Sequence, residues 1–198
     1  GRKMIITPPP VKVFAEEHGI DVYQPEKVKS EDTINLIQSL NPDIIIVVAY
    51  GKILPKQIID MPKYGCINVH GSLLPKYRGA APIQWSIING DTVTGVTTMY
   101  MNEGLDTGDI LLQSKLYIEE NETSDELKVR MADVGADLLI KTLEELKAGN
   151  LKPIPQNSEE ATFSPPLDKL NGEIDWHADA QVIHNTIRGC NSWPIAHT

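Results

Sequence analysis

Residues 43–50, DIIIVVAY, set five β-branched side chains in succession, and few backbone conformations can use such a run. β-Branched residues are stiff at χ1 and suit a pleated strand better than a helix. A strand that is apolar on both faces belongs in a parallel sheet covered by helices, because a half-wet antiparallel strand would alternate polar with apolar. The flanking text fits that demand. Ser30 can cap a helix carrying Ile34, Leu36, Ile37 and Leu40. After Gly51, LPKQIIDMP (54–62) reads as a short helix and GCINVH (65–70) as the next strand. Upstream, Val11, Phe14 and Ala15 take helical spacing before Gly19, and IDVYQP (20–25) reads as a short strand. This alternation implies βαβ units and a doubly wound, Rossmann-like α/β domain with a mostly parallel sheet.

Further along, a helix is expected to start near Gly79, with Pro82 tolerated in its first turn. GVTTMYM (95–101) and ILLQSKLYI (110–118) read as strands separated by the turn-rich NEGLDTGD (102–109). Thr123 and Glu126 form a capping box. The helix they open carries Leu127, Met131, Val134, Leu138, Thr142 and Leu146 on one stripe and ends at Gly149. Residues 152–172 are proline-rich and without periodicity, which suits an extended wrap or linker rather than regular structure. One more helix, over 178–188, precedes NSWPIAHT. The chain therefore divides into a domain over 1–150 and, over 151–198, an extended linker leading into the start of a second domain.

Composition narrows the class. A hydrophobic share of 41% with 23% charged residues belongs to a globular protein in water. No apolar run approaches the roughly 20 residues needed to cross a bilayer, and no signal peptide opens the sequence. Two cysteines, Cys66 and Cys190, are too few for a disulfide framework and fit a reducing, cytoplasmic setting; Cys66 reads as a small buried hydrophobe. A net charge of −9 argues against sequence-blind binding of nucleic acid over a broad surface. The short basic cluster is GRK at residues 1–3. Because Gly1 is not an initiator, the sequence reads as an internal piece of a longer protein.

INVHGSLLPKYRGAAPIQW (67–85) holds the first chemistry-bearing residues. Asn68 and His70, with one residue between them at a strand end, share a face because strand side chains alternate. The loop 102–109 offers Glu103, Asp106 and Asp109. An asparagine amide can donate to an oxyanion, a histidine can exchange a proton near neutral pH, and a carboxylate can orient and charge that histidine. Each residue also has a plainer role: a satisfied histidine, a turn-capping asparagine, an aspartate between glycines in a turn. Taken singly, each residue fits the plainer role better, and the three together make only a weak case for chemistry. G-x-S-x-G, G-x-G-x-x-G and Walker loops do not occur, and the remaining histidines lack metal-ligand spacing, so no metal is expected.

NVHGSLLPKYRGAAPIQWSIINGD (68–91) followed by DTVTGVTTMYMNEGLDTGDIL (91–111) resembles the catalytic core of the folate-dependent formyltransferases, and among them those that act on methionyl-tRNA. The resemblance runs over essentially the whole chain. It implies that Asn68, His70 and Asp106 are the catalytic residues. It also implies that Ser72, Leu73, Leu74 and Pro75 contact the folate, and that Val48, Ala49, Tyr50 and Gly51 line the pterin pocket. Arg2 and Lys3 match part of a basic loop that reaches the acceptor end of the tRNA. The implied reaction moves the formyl group of N10-formyltetrahydrofolate to the amino group of methionyl initiator tRNA, in the cytoplasm, on a monomer with no membrane partner. The resemblance further implies an N-terminal strand and a C-terminal β-barrel outside these 198 residues. Two other readings are kept: a formyltransferase acting on an amino-sugar nucleotide, which shares HGSLLPKYRG, and a folate-binding module without catalysis.

Overall fold

The computed structural model describes residues 7–198. Helices α1 (Pro10–Glu17) and α2 (Glu31–Leu40) precede strand β1 (Ile45–Val48), which the β-branched run forms. Ser30 caps α2 by accepting from the Thr33 N–H at 3.4 Å. Helix α3 (Lys56–Ile59) leads into β2 (Cys66–His70), parallel to β1 in the register Ile45↔Cys66 to Val48↔Val69. Ile58 and Ile59 of α3 bury against Val28, Leu54 and Cys66, with Ile34, Ile37, Ile45 and Val47 at the margin. Burial pushes the Cys66 thiol up to about 11. Residues 20–25, expected as a strand, carry no regular structure. No described strand lies beside them, and a strand without a partner leaves its N–H and C=O groups unpaired.

After β2 come β3 (Arg78–Gly79), α4 (Pro82–Ile88) and the long strands β4 (Val93–Tyr100) and β5 (Ile110–Tyr117). The main sheet has the order β1-β2-β4-β5. The α/β architecture is as expected, but within the described residues the parallel part of this sheet is the β1–β2 pair. β4 runs antiparallel to β2, and β5 antiparallel to β4. A parallel pair needs a crossover of about a dozen residues or more; the connection 101–109 is too short for one and closes a hairpin.

The two faces of β2 are covered by different things. Val69 and its neighbour Val96 face α5 (Ser124–Ala148), whose Leu127, Met131 and Leu138 fill the main core with Ile87 and Ile118. Thr98 and Thr142 pair hydroxyl to hydroxyl at 2.8 Å across the same interface. At Gly135 the helix lies close to the sheet, where a Cβ would make ordinary contact with Val69 Cγ1 at 3.4 Å. The capping box forms as read: Thr123 and Glu126 satisfy each other's backbone N–H groups, and Gly149 closes α5 at φ 72. The opposite face of β2, carrying Asn68 and His70, is covered by loops. Residues 152–164 run over that side: Ile154 bridges Ile110, and β6 (Phe163–Ser164) pairs parallel with β3. Finally α6 (Ala180–Gly189) packs on α4, with Gly189 against Ile88.

Candidate active site

Asn68 and His70 project from the loop-covered face of β2, two residues apart as the strand period requires. His70 is only 6% exposed. Its Nε2 lies 2.9 Å from the Tyr77 carbonyl oxygen. A carbonyl can only accept, so Nε2 carries a hydrogen and donates. The other ring nitrogen, Nδ1, therefore faces Asp106, 3.7 Å from Oδ2. Asn68 Nδ2 reaches Asp106 Oδ1 at 3.5 Å. The short contact to this carboxylate is the Gly79 N–H, which donates to Oδ2 at 2.8 Å. The longer two leave the amide and the imidazole free to turn part of their hydrogen bonding to a substrate.

Asp106 does not arrive by the route of a parallel sheet, where loops at the carboxyl ends of neighbouring strands meet in one crevice. Because β4 is antiparallel to β2, it ends beside the start of β2: the Met101 N–H donates to the Cys66 carbonyl. The loop 102–109 then has to fold back over the sheet face to bring Asp106 between Asn68 and His70. Glycine makes that fold possible at position 108, where a Cβ would collide with the Tyr100 carbonyl oxygen at 1.8 Å. Asn102 Oδ1 accepts from the Gly104 N–H and the Thr107 hydroxyl, stiffening the turn. Asp106 itself sits at φ 50, in the left-handed region that aspartate tolerates better than most side chains. Gln156 Nε2 donates to the carbonyls of Asp106 at 2.9 Å and Gly108 at 2.7 Å.

Tyr77, Arg78 and Gly79 join the two halves of the site, and none of them was singled out for it in the sequence. The Tyr77 carbonyl holds His70 and also accepts from the Ser164 hydroxyl at 3.1 Å. The Tyr77 N–H donates to Thr162 Oγ1 at 2.8 Å. Its phenol donates to Asp91 Oδ2 at 2.7 Å, and burial together with that hydrogen bond pushes the phenol up to about 12. Gly79 adopts φ 119, and a Cβ on it would stand 2.7 Å from the Ser164 carbonyl oxygen. Only glycine can therefore offer its N–H to Asp106 from this position. Thr162, Ser164 and Gln156 all come from the stretch that the sequence left without structure. The available signal was a set of polar side chains in a proline-rich stretch, which equally suits a solvated linker.

The remaining expected site residues are distributed as follows. Ser72 and Leu74 are buried, and the Ser72 hydroxyl donates to the Lys76 carbonyl at 2.6 Å. Thr97 organises this turn, donating to the Ser72 carbonyl and accepting from the Leu74 N–H, while Gln113 donates to the Leu74 carbonyl. Leu73 and Pro75 are half-buried, with Leu73 lying over Gly95. Val48, Ala49, Tyr50 and Gly51 form an exposed strand end one strand away, Val48 in register with Val69 between the two catalytic candidates. Arg2 and Lys3 lie outside the described residues. Among the described residues, no group of three or more His, Cys, Asp or Glu side chains is placed to hold a metal, and no helix is long and apolar enough to cross a membrane.

Comparison with known proteins adds an independent line. The family model described as formyl transferase matches residues 2–143, and the one described as formyl transferase, C-terminal domain, matches residues 166–198. A methionyl-tRNA formyltransferase of Acetivibrio thermocellus is 50% identical over the full chain and 64% of its own length. One from Clostridioides difficile is 52% identical over the full chain and 63% of its own length. The chain thus spans 59–64% of the length of the curated relatives it matches. Among solved structures, a sugar N-formyltransferase from a Shewanella species superposes with a TM-score of 0.75 at 26% identity, covering 91% of this chain and 71% of that one. HypX from Aquifex aeolicus in complex with tetrahydrofolic acid shares the fold, with a TM-score of 0.72 at 20% identity over 82% of this chain and 28% of that one.

Proposed function

This chain belongs to the formyl transferase family, and from that premise we propose that it carries the active site for transferring the formyl group of N10-formyltetrahydrofolate to the α-amino group of methionyl initiator tRNA. The observation that carries the reading is the convergence of Asn68, His70 and Asp106, from β2 and a loop folded back over it, at 3.5 and 3.7 Å. The acceptor follows the relatives at 50–52% identity, which are named for methionyl-tRNA.

In the proposed reaction the amine adds to the formyl carbon, the C–N10 bond breaks, and the proton lost by the amine ends on N10. Asn68 Nδ2 donates to the oxygen as it gains negative charge. His70, held through Nε2 by the Tyr77 carbonyl, works through Nδ1: once protonated there it donates to the same oxyanion, with the Asp106 carboxylate balancing its charge. Asp106 also sits where it can take part in moving the amine proton towards the leaving nitrogen. No covalent intermediate on the protein is needed. The exposed strand end of residues 48–51 and the half-buried Leu73 and Pro75 offer a rim for the flat pterin, with Ser72 and Leu74 shaping the loop from inside. Arg2 and Lys3 are assigned to the tRNA acceptor end on the family resemblance. Residues 1–150 would supply the catalytic groups, and residues 151–198 the strap over them and the lead into the next domain.

The test uses the complete parent protein, labelled formyl donor, methionyl initiator tRNA and a competing amino-sugar nucleotide in one reaction. Label on the tRNA, lost in Asn68→Ala, is expected. Label on the sugar would transfer the same chemistry to the acceptor class of the Shewanella relative. Binding of folate without transfer to either would leave a non-catalytic module.

A further inference from the structure

We propose that Gln156 and Arg78 are a positioning pair that holds the Asp106 loop in its transfer-competent conformation, an inference that rests on the formyl-transfer reading above. Every polar position of the Gln156 amide has a partner. Its Nε2 donates to the carbonyls of Asp106 and Gly108, at 2.9 and 2.7 Å. Its Oε1 accepts from Arg78 Nε at 3.1 Å and Nη2 at 2.8 Å. The amide cannot be reversed, because that would set its oxygen against two carbonyls and its NH2 against a guanidinium.

Arg78 is an unusual residue to find in this role. It is only 4% exposed, and among the described residues no carboxylate comes within ion-pairing distance of it. A buried guanidinium ordinarily has an anionic partner. Here its planar fork grips a neutral amide oxygen, and the amide passes that orientation on to the loop. The adjacent residue, Gly79, donates to the Asp106 carboxylate directly. Asp106 is thus tied at its carbonyl through residues 78 and 156 and at its carboxylate through residue 79. Together the two ties fix Asp106 at φ 50, a conformation that costs energy for a residue bearing a side chain. Neither Gln156 nor Arg78 touches reacting atoms in this arrangement.

The test is Gln156→Glu in the complete parent protein. The carboxylate keeps its attraction for Arg78 but loses both donors to the loop. A reacting group displaced by about 1 Å can cost roughly 100-fold in rate, so kcat is expected to fall by up to that factor. KM for both substrates should stay within about twofold, because uniform binding is untouched. Hydrogen exchange followed by mass spectrometry should quicken over residues 102–109 and not over β4 or α5. If Gln156→Glu does not fold, Gln156→Met, similar in length and without polar atoms, takes its place. Unchanged exchange in 102–109, faster exchange there with an unchanged kcat, or protection lost throughout β4 and α5 would each overturn the proposal. Should the wild-type protein not formylate methionyl-tRNA, the functional reading fails on that arm. The exchange data then decide the positioning pair alone: quickening confined to the loop supports it, and its absence overturns it.

Discussion

Strand β2 and the strap of residues 152–164 hold the same residue, Asp106, and they do so by opposite means. β2 presents side chains: Asn68 and His70 stand on one face at a spacing that any strand imposes, with α5 packed rigidly behind. The strap presents almost no reactive chemistry. Gln156, Thr162 and Ser164 act on backbone groups, holding the Asp106 and Gly108 carbonyls, the Tyr77 N–H and the Tyr77 carbonyl. The difference teaches that a site can separate the groups that react from the groups that hold them, and place the two far apart in the chain.

Substitutions can break that division or sharpen it. The largest effect is expected from Asn68→Ala, because removing one oxyanion donor costs about 100- to 1,000-fold in turnover. Assayed at saturating substrates, a variant that keeps most of its activity would remove β2 from the chemistry. Next comes Gly79→Ala. With φ 119 and a Cβ 2.7 Å from the Ser164 carbonyl, it should loosen β3 from β6 and cost about 1–3 kcal/mol of stability, the usual size of backbone strain. Its turnover should fall as well, since the Asp106 contact moves with it; a lower melting temperature at full kcat would mean that the Gly79 N–H is not needed to hold the carboxylate.

A smaller effect is expected from Thr123→Ala, which removes the α5 cap far from both holders and should cost about 1 kcal/mol. Thermal melting should register that loss while kcat stays put, separating mere stability from positioning. The last effect shows as a pH dependence well above neutrality. Burial and the Asp91 hydrogen bond raise the Tyr77 phenol from 10.0 to about 12, so the fold favours the neutral phenol. That contribution is complete below pH 10 and is lost as pH rises towards 12. Denaturant melts over that range should show a steeper loss of stability for the wild-type protein than for Tyr77→Phe. Equal slopes would mean that the Tyr77 phenol does not report on this junction.

Much of the scaffold was legible in the residues. The β-branched run became β1, the capping box and stripe became α5, and Gly149 stopped that helix at a positive φ. Those features are local: a few neighbouring residues decide them, through rotamers, caps and periodicity. The short strand expected over residues 20–25 did not form, because a strand depends on a neighbour that local propensity does not provide. The direction of β4 and β5 was missed for the same kind of reason, since pairing sense depends on how a chain returns to the sheet.

By itself, the sequence determined the α/β class, the position of Asn68 and His70 on one face of a strand, and, through its motifs, the family. Tertiary structure decided which nitrogen of His70 faces Asp106, because that follows from the Tyr77 carbonyl held by Ser164, 87 residues away. It also decided that the Asp106 loop folds back over an antiparallel hairpin and is held there by a strap with no periodicity. Periodicity and propensity are properties of neighbouring residues, whereas hydrogen-bond partners are set by where distant segments meet.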